Sequence, residues 1–217
     1  MFLKRSIPPR NAGGTRSRIL SAATHEFSTH GFQGGRIERI ARRARANLRM
    51  SYHYFGSKQA LYVAVLEHVY SEMRVAERAL KLGCVSPQDG MRQLIGFTFD
   101  YFASHPDFIG LAAGENLVAA RYLKRSTLVP ALVPPTLAII QDLLERGEAS
   151  RRFRRGVDPL QFFITLHALC YLHLSNRHTL SAMFRRDLGA PRWLAQRRRH
   201  VGEVLMGYLE IQKARRT

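Results

Sequence analysis

Along almost the whole chain, apolar side chains return every three or four residues and nowhere in a sustained alternation; this period sets the fold class. Ile19, Ala23 and Phe27 recur at a spacing of four, with Leu20 beside them. Leu61, Val65, Val69, Met73, Ala76 and Leu80 draw an apolar seam over about six turns of one helix. No segment shows the in-out pattern of a half-buried strand, so the sequence predicts an all-α protein. With 217 residues and 46% hydrophobic content, it can bury a core as one large domain or two small ones.

Breakers and caps divide the pattern. Residues 1–14 mix basic side chains with Pro8, Pro9, Gly13 and Gly14 and read as a flexible basic arm. Thr15 is the expected N-cap of a first helix that Gly31 ends. Ile37, Ile40, Ala41 and Ala44 give one face of a short second helix, with Arg36, Arg39, Arg42 and Arg43 on the others. Leu48 to Phe55 reads as a third, and Gly56-Ser57-Lys58 breaks it and caps the long fourth. Amphipathic stretches follow at 88–104, 107–126, 134–147 and 158–180, the last opening on Asp158-Pro159. A final helix starts near Pro191.

Charge narrows the function. Lys and Arg number 34 against 16 Asp and Glu, a net +18 that points to a polyanionic partner. Residues 1–58 hold 12 of the basic and 2 of the acidic residues, more than half of the excess in about a quarter of the chain. Cys84 and Cys170 have neither a disulfide framework nor zinc-site spacing, which fits a reducing cytoplasm. The N-terminus lacks the apolar run of an export signal. Leu160 to Leu174 is interrupted by Gln161, Thr165, His167 and His173 and is shorter than the ~20 residues of a membrane span. Glycine-rich phosphate loops, nucleophile elbows and paired carboxylates are absent from the sequence, so neither an enzyme nor a cofactor is expected. His25-Glu26-x-x-x-His30 misses the zinc protease spacing by one residue. His167, Cys170 and His173 drift around their helix in steps of three, so no metal site is expected.

Two short helices joined by a brief turn, with a longer helix across them, make a helix-turn-helix, whose second member enters the major groove. Within it, the run Ile40-Ala41-Arg42-Arg43-Ala44-Arg45-Ala46-Asn47-Leu48-Arg49-Met50-Ser51-Tyr52-His53-Tyr54-Phe55-Gly56-Ser57-Lys58-Gln59-Ala60-Leu61 resembles the signature of the TetR (tetracycline repressor-like) family of transcriptional regulators. The resemblance covers residues 15 to about 75. It implies a three-helix DNA-binding domain at 15–60 and a helical effector-binding and dimerisation domain at 61–217. By the same resemblance Tyr52, Tyr54 and Lys58 match phosphate-holding positions. Asn47, Leu48, Arg49 and Met50 match the start of the recognition helix, which also carries His53, and Arg36 the N-terminal end of the second helix. Arg49 suits guanine and Asn47 adenine, and Lys58, at a helix start, suits a phosphate. Leu48 and Met50 either touch a thymine methyl or pack inside, and Phe55 belongs to the core. Two departures stand out: the family usually has Gly where Arg45 stands, and Thr or Ser where Gly35 and Arg36 stand.

The remaining helices carry Tyr101, His105, Phe108, Glu115, Asn116, His167 and Tyr171, a mixture of aromatic and polar groups suited to a small-molecule effector. The run from His105 to Ile109 followed by Glu115-Asn116 resembles some TetR effector domains without naming a ligand. The expected partners are double-stranded DNA and a second copy of the chain, joined through the last two long helices. Leu160, Ile164, Ala168, Leu172, Val201, Val204, Leu205 and Tyr208 are the seam candidates. The reading is a ligand-responsive repressor, homodimeric on a palindromic operator; the alternative is a nonspecific nucleic-acid binder.

Overall fold

Ser57, Ser86 and Asp158 each accept a hydrogen bond from the backbone N–H three residues on, at 3.0, 3.1 and 2.7 Å. They start three of the longer helices, and a proline follows at once in two of them. The computed structural model describes residues 12–211. Its helices are α1 (Ala12–Gly34), α2 (Ile37–Arg43), α3 (Leu48–Phe55), α4 (Lys58–Arg78), α5 (Pro87–Ser104), α6 (Pro106–Leu117), α7 (Leu128–Ala131), α8 (Val133–Ala149), α9 (Pro159–Ser175), α10 (Arg177–Phe184) and α11 (Pro191–Leu209). Single 3-10 turns lie at Leu82–Cys84 and Leu123–Arg125. Among the described residues the only β pairing is an isolated bridge between Phe153 and Glu210. The fold is all-α.

Three boundaries differ from the sequence reading. α1 begins at Ala12, not at a Thr15 cap; residues 1–11 of the expected arm lie outside the described residues. Gly31, at φ +64°, does break α1. The stretch 107–126 is helical only to Leu117, because Ala119 and Ala120 turn left-handed at φ +54° and +57°. Glu115 Oε2 ties that turn down by accepting the N–H groups of Tyr122 (3.1 Å) and Leu123 (2.7 Å). The stretch 158–180 is split at Asn176 into α9 and α10.

α1, α2, α3 and the first turns of α4 share one core, in which Ile19, Ala23, Phe27, Ile40, Leu61, Tyr62 and Val65 are buried. Phe27 meets Tyr62 edge-on at 5.0 Å, so this core reaches past residue 60. In the remaining helices α5 is central, packing on α8, α9 and α11 through Met91, Leu94, Ile95, Phe99 and Phe102. The head is joined to this body in two ways. α1 lies so close on α6 that a Cβ at Gly110 would fall 2.5 Å from the Ser28 carbonyl oxygen. The Ser28 hydroxyl also donates to Asp107 at 2.5 Å. α4 runs from head to body, where buried Arg74 donates to Glu77 and, at 2.7 Å, to the Thr136 hydroxyl of α8. Burial pushes the Glu77 carboxyl above and the Arg74 guanidinium below its ordinary value.

The helical stretch Leu128–Ala149 is long and apolar enough, at mean hydropathy 1.3, to meet the length-and-composition criterion for a membrane span. Thr136, Ile140, Leu143, Leu144 and Gly147 of that stretch are buried in the core.

α9 is mostly apolar, with Gln161 and Thr165 exposed near its start. Phe162, Leu166 and Cys170 face the core, while Leu160, Ile164, Ala168 and Leu172 are exposed. On α11, Val201, Leu205 and Leu209 form a buried stripe and Val204 and Tyr208 an exposed one. Val201 and Leu205 therefore leave the expected dimer seam: they sit on the opposite stripe and fill the chain's own core.

Candidate nucleic-acid interface

The eight residues of α3 divide cleanly by face. Ser51 and Phe55, one turn apart, are buried; Leu48, Arg49, Tyr52 and His53 are exposed; Met50 and Tyr54 lie between and pack against the core. Met50 thus faces inward and Leu48 outward, which settles where each side chain lies. Tyr52 is 47% exposed. Arg36, Arg42 and Arg43 on and beside α2 are exposed as well. The outer surface of α2 and α3 is thereby basic and aromatic over an apolar floor.

Asn47 is the N-cap of α3: its Oδ1 accepts the Arg49 N–H at 2.9 Å. That bond fixes the start of the helix and leaves the side-chain NH2 free to reach a base. Lys58 is turned toward α1. Its ammonium lies 4.7 Å from the Phe32 ring centre and 3.3 Å from the Gln33 carbonyl oxygen, to which it donates. Burial lowers its pKa.

Both departures from the family pattern have a structural answer. Arg45 takes the left-handed conformation, φ +48°, that the family's glycine would supply. The Ala46 N–H donates to the Ala41 carbonyl at 3.0 Å and the Arg45 N–H to that of Arg42 at 3.2 Å, the hydrogen-bond pair of a helix end closed by a left-handed residue. α2 has no side-chain cap bond at Arg36, its N-cap residue; the start of the helix is instead held from α1. Glu26 Oε1 accepts the Arg36 N–H at 2.9 Å and the Arg39 Nε–H at 2.7 Å. Burial works to raise the Glu26 pKa, yet the bonds from Arg39 and the Arg36 N–H outweigh it and hold the carboxyl below its ordinary value. Gly35 is required by packing, since a Cβ there would fall 2.5 Å from the Phe27 ring. Glu26 and Arg18, whose Nε donates to the Ala44 carbonyl at 3.1 Å, position the two helices and were missed in the sequence. Both lie on α1, far along the chain from what they hold.

Five of the seven effector candidates gather around Phe102. Tyr101 stacks on His105 at 3.8 Å and meets Phe108 at 6.2 Å, and Phe102 contacts Phe108, His167 and Tyr171. Burial raises the Tyr101 hydroxyl to about 12 and lowers His167 to about 4. Glu115 serves the turn after α6 instead, and Asn116 is exposed at the end of that helix. Of the helix-borne trio, His167 lies against Phe163 at 3.8 Å, whereas buried His173 sits between Phe99 and Trp193.

A helix-turn-helix head with an exposed basic recognition face, joined to an all-helical body, defines a DNA-binding regulator. Residues 19–65 match the family described as bacterial regulatory proteins, tetR family, and residues 87–205 match the tetracyclin repressor-like C-terminal domain. The chain belongs to the TetR family of transcriptional regulators. It is 38% identical over 185 residues to the HTH-type transcriptional repressor NicS of Pseudomonas putida, covering 85% of this chain and 87% of that protein. It is 28% identical over 161 residues to the HTH-type transcriptional regulator RutR of Escherichia coli, 73% of each. Among solved structures, the transcriptional regulator SCO4942 of Streptomyces coelicolor superposes with a TM-score of 0.66 at 25% identity, covering 90% of this chain and 98% of that one.

Proposed function

We propose that the chain is a ligand-responsive transcriptional repressor, not an enzyme, which works in the cytoplasm as a homodimer on a palindromic operator. The carrying observation is the split of α3: Ser51 and Phe55 anchor it, leaving Leu48, Arg49, Tyr52 and His53 outward for the major groove. Arg49 is the base reader, with Leu48 and the Asn47 amide beside it. Arg36, Tyr52, His53, Tyr54 and, once it leaves Gln33, Lys58 serve the phosphates. Met50 supports the helix from within. The head extends to about residue 65, since Leu61, Tyr62 and Val65 belong to its core. The name of the Pseudomonas putida relative favours repression.

The dimer follows from α9. A continuous apolar stripe outside the core needs cover, and Leu160, Ile164, Ala168 and Leu172, flanked by Val204 and Tyr208, are exposed. A second copy applied by a two-fold axis covers that face and sets two α3 helices against one duplex. An effector among Tyr101, Phe108, His167 and Tyr171 favours one spacing of the heads, transmitted along α4 and through the α1–α6 contact.

Selection of bound duplexes from a random pool tests this reading, and a two-fold symmetric consensus is expected. Arg49→Ala should then lose discrimination at one base position by about 1–3 kcal/mol. Retention of unrelated duplexes, with uniform weakening in the variant, would instead mark a nonspecific binder.

A further inference from the structure

The seat of α1 on α6 continues past the end of α6 as a cluster of rings. Tyr122, in the turn after that helix, is 4% exposed. Its ring centre lies 4.2 Å from that of Phe32, at the end of α1, and 5.2 Å, edge-on, from that of Tyr62 on α4. Phe32 in turn meets Tyr62 at 5.3 Å. Tyr122 is fixed through its backbone, whose N–H donates to Glu115 Oε2 at 3.1 Å. A ring of the body thus supports a ring of the head.

Phe32 needs that support. It follows Gly31, whose φ of +64° and ψ of −179° interrupt α1, so residues 32–34 do not inherit their direction from the helix before them. What Phe32 packs on sets that direction instead. On this short segment rests Lys58, its ammonium 4.7 Å from the Phe32 ring centre and 3.3 Å from the Gln33 carbonyl oxygen, to which it donates. The ring face attracts the cation. An ammonium carries three hydrogens, so the Gln33 bond can be given up for a phosphate oxygen while the ring contact persists. A free lysine loses its rotamer freedom on binding, whereas one already held against a ring has lost it beforehand.

We propose that Tyr122 is a positioning residue for DNA binding: by holding Phe32 in place it keeps the Lys58 ammonium at the start of α4, ready for a phosphate. The proposal rests on the reading of Lys58 as a phosphate contact and adds a buried residue of the body to what determines affinity. Loss of this prop acts only through the lysine.

A double-mutant cycle tests the proposal on the full-length protein. Affinity is measured on a duplex carrying the selected consensus, or on a random duplex if none emerges, since phosphate contacts also supply nonspecific binding. Lys58→Met should weaken binding and reduce its salt slope by about one. Tyr122→Leu should weaken binding about fivefold when Lys58 is present and by less than about twofold in the Lys58→Met background. Tyr122→Phe, which keeps the ring, should restore most of the loss; melting curves establish that each variant folds. General damage to the head would weaken both backgrounds alike, so equal losses overturn the proposal. Tighter binding by Tyr122→Leu overturns it as well, because the ring would then restrain Lys58 instead of presenting it. Should Tyr122→Leu not fold, Phe32→Leu, at a half-buried position, runs the same cycle with the same expected and overturning results. Unchanged affinity and salt slope in Lys58→Met would remove the phosphate reading of Lys58 together with the proposal, whereas equal losses remove the proposal alone.

Discussion

Replacing Arg45 with glycine should stabilise the protein. Arg45 sits at φ +48°, where the Cβ of an L-residue costs about 1–2 kcal/mol. Glycine removes that cost but brings a looser unfolded chain, worth about 0.5–1 kcal/mol in the opposite sense. The net gain is about 0.5–1 kcal/mol, which for a chain of this size raises Tm by about 1–4 °C. The side chain is exposed and has no hydrogen bond among the described residues, so little is lost with it. Arg45→Ala is the control, because it removes the same charge and keeps the Cβ. Thermal and urea unfolding of the three proteins should give glycine above arginine and alanine, while both variants show the same change in the salt dependence of operator binding. An alanine variant as stable as the glycine variant would refute the argument, since the gain would then come from lost charge and not from relieved backbone strain.

Other substitutions probe the remaining contacts. Glu26→Gln should cost about 1–2 kcal/mol at neutral pH. Because the Glu26 pKa is depressed in the folded protein, its stabilisation is complete above the ordinary carboxylate pKa and is lost as pH falls through the depressed one; the gap between wild-type and variant melting temperatures should therefore close in acid. Ile164→Asp should leave a folded monomer by light scattering and abolish tight operator binding, and a variant that remained dimeric would remove α9 from the interface. Leu205→Ala, on the buried stripe of α11, should instead lower stability by about 2–5 kcal/mol, measured by urea unfolding. Gly110→Val should raise the exchange rate of amides along α1, read by hydrogen exchange, because its side chain meets the Ser28 backbone.

Local pattern made most of the fold legible. Spacing of apolar residues placed α2, α3 and α4, and the caps at Ser57 and Asp158 were read where they act. The sequence could not say which of two neighbouring stripes on α11 faces inward, because both carry large apolar side chains, Val201 and Leu205 on one and Val204 and Tyr208 on the other. Only the position of α5 decides that. The end of α6 carries no turn signal either: Ala119 and Ala120 adopt left-handed backbone without glycine, held by a glutamate at the end of the preceding helix. In the head, arginine in place of the usual glycine left the turn in question, and the Arg36 backbone at the start of α2 is held by Glu26, ten residues upstream on α1. Contacts between distant residues of this kind leave no periodic trace.

The seat of α1 on α6 bears on protein engineering. A hybrid regulator built by exchanging reading heads at the start of α4 would bring a foreign first helix onto a surface shaped to admit the Ser28 backbone over Gly110. Unless the donor helix offers an equally bare stretch there, the transplant would perch at a new angle and set its recognition helices at the wrong spacing. Successful chimeras of this scaffold should therefore exchange α1 and α6 together, treating them as one inherited joint.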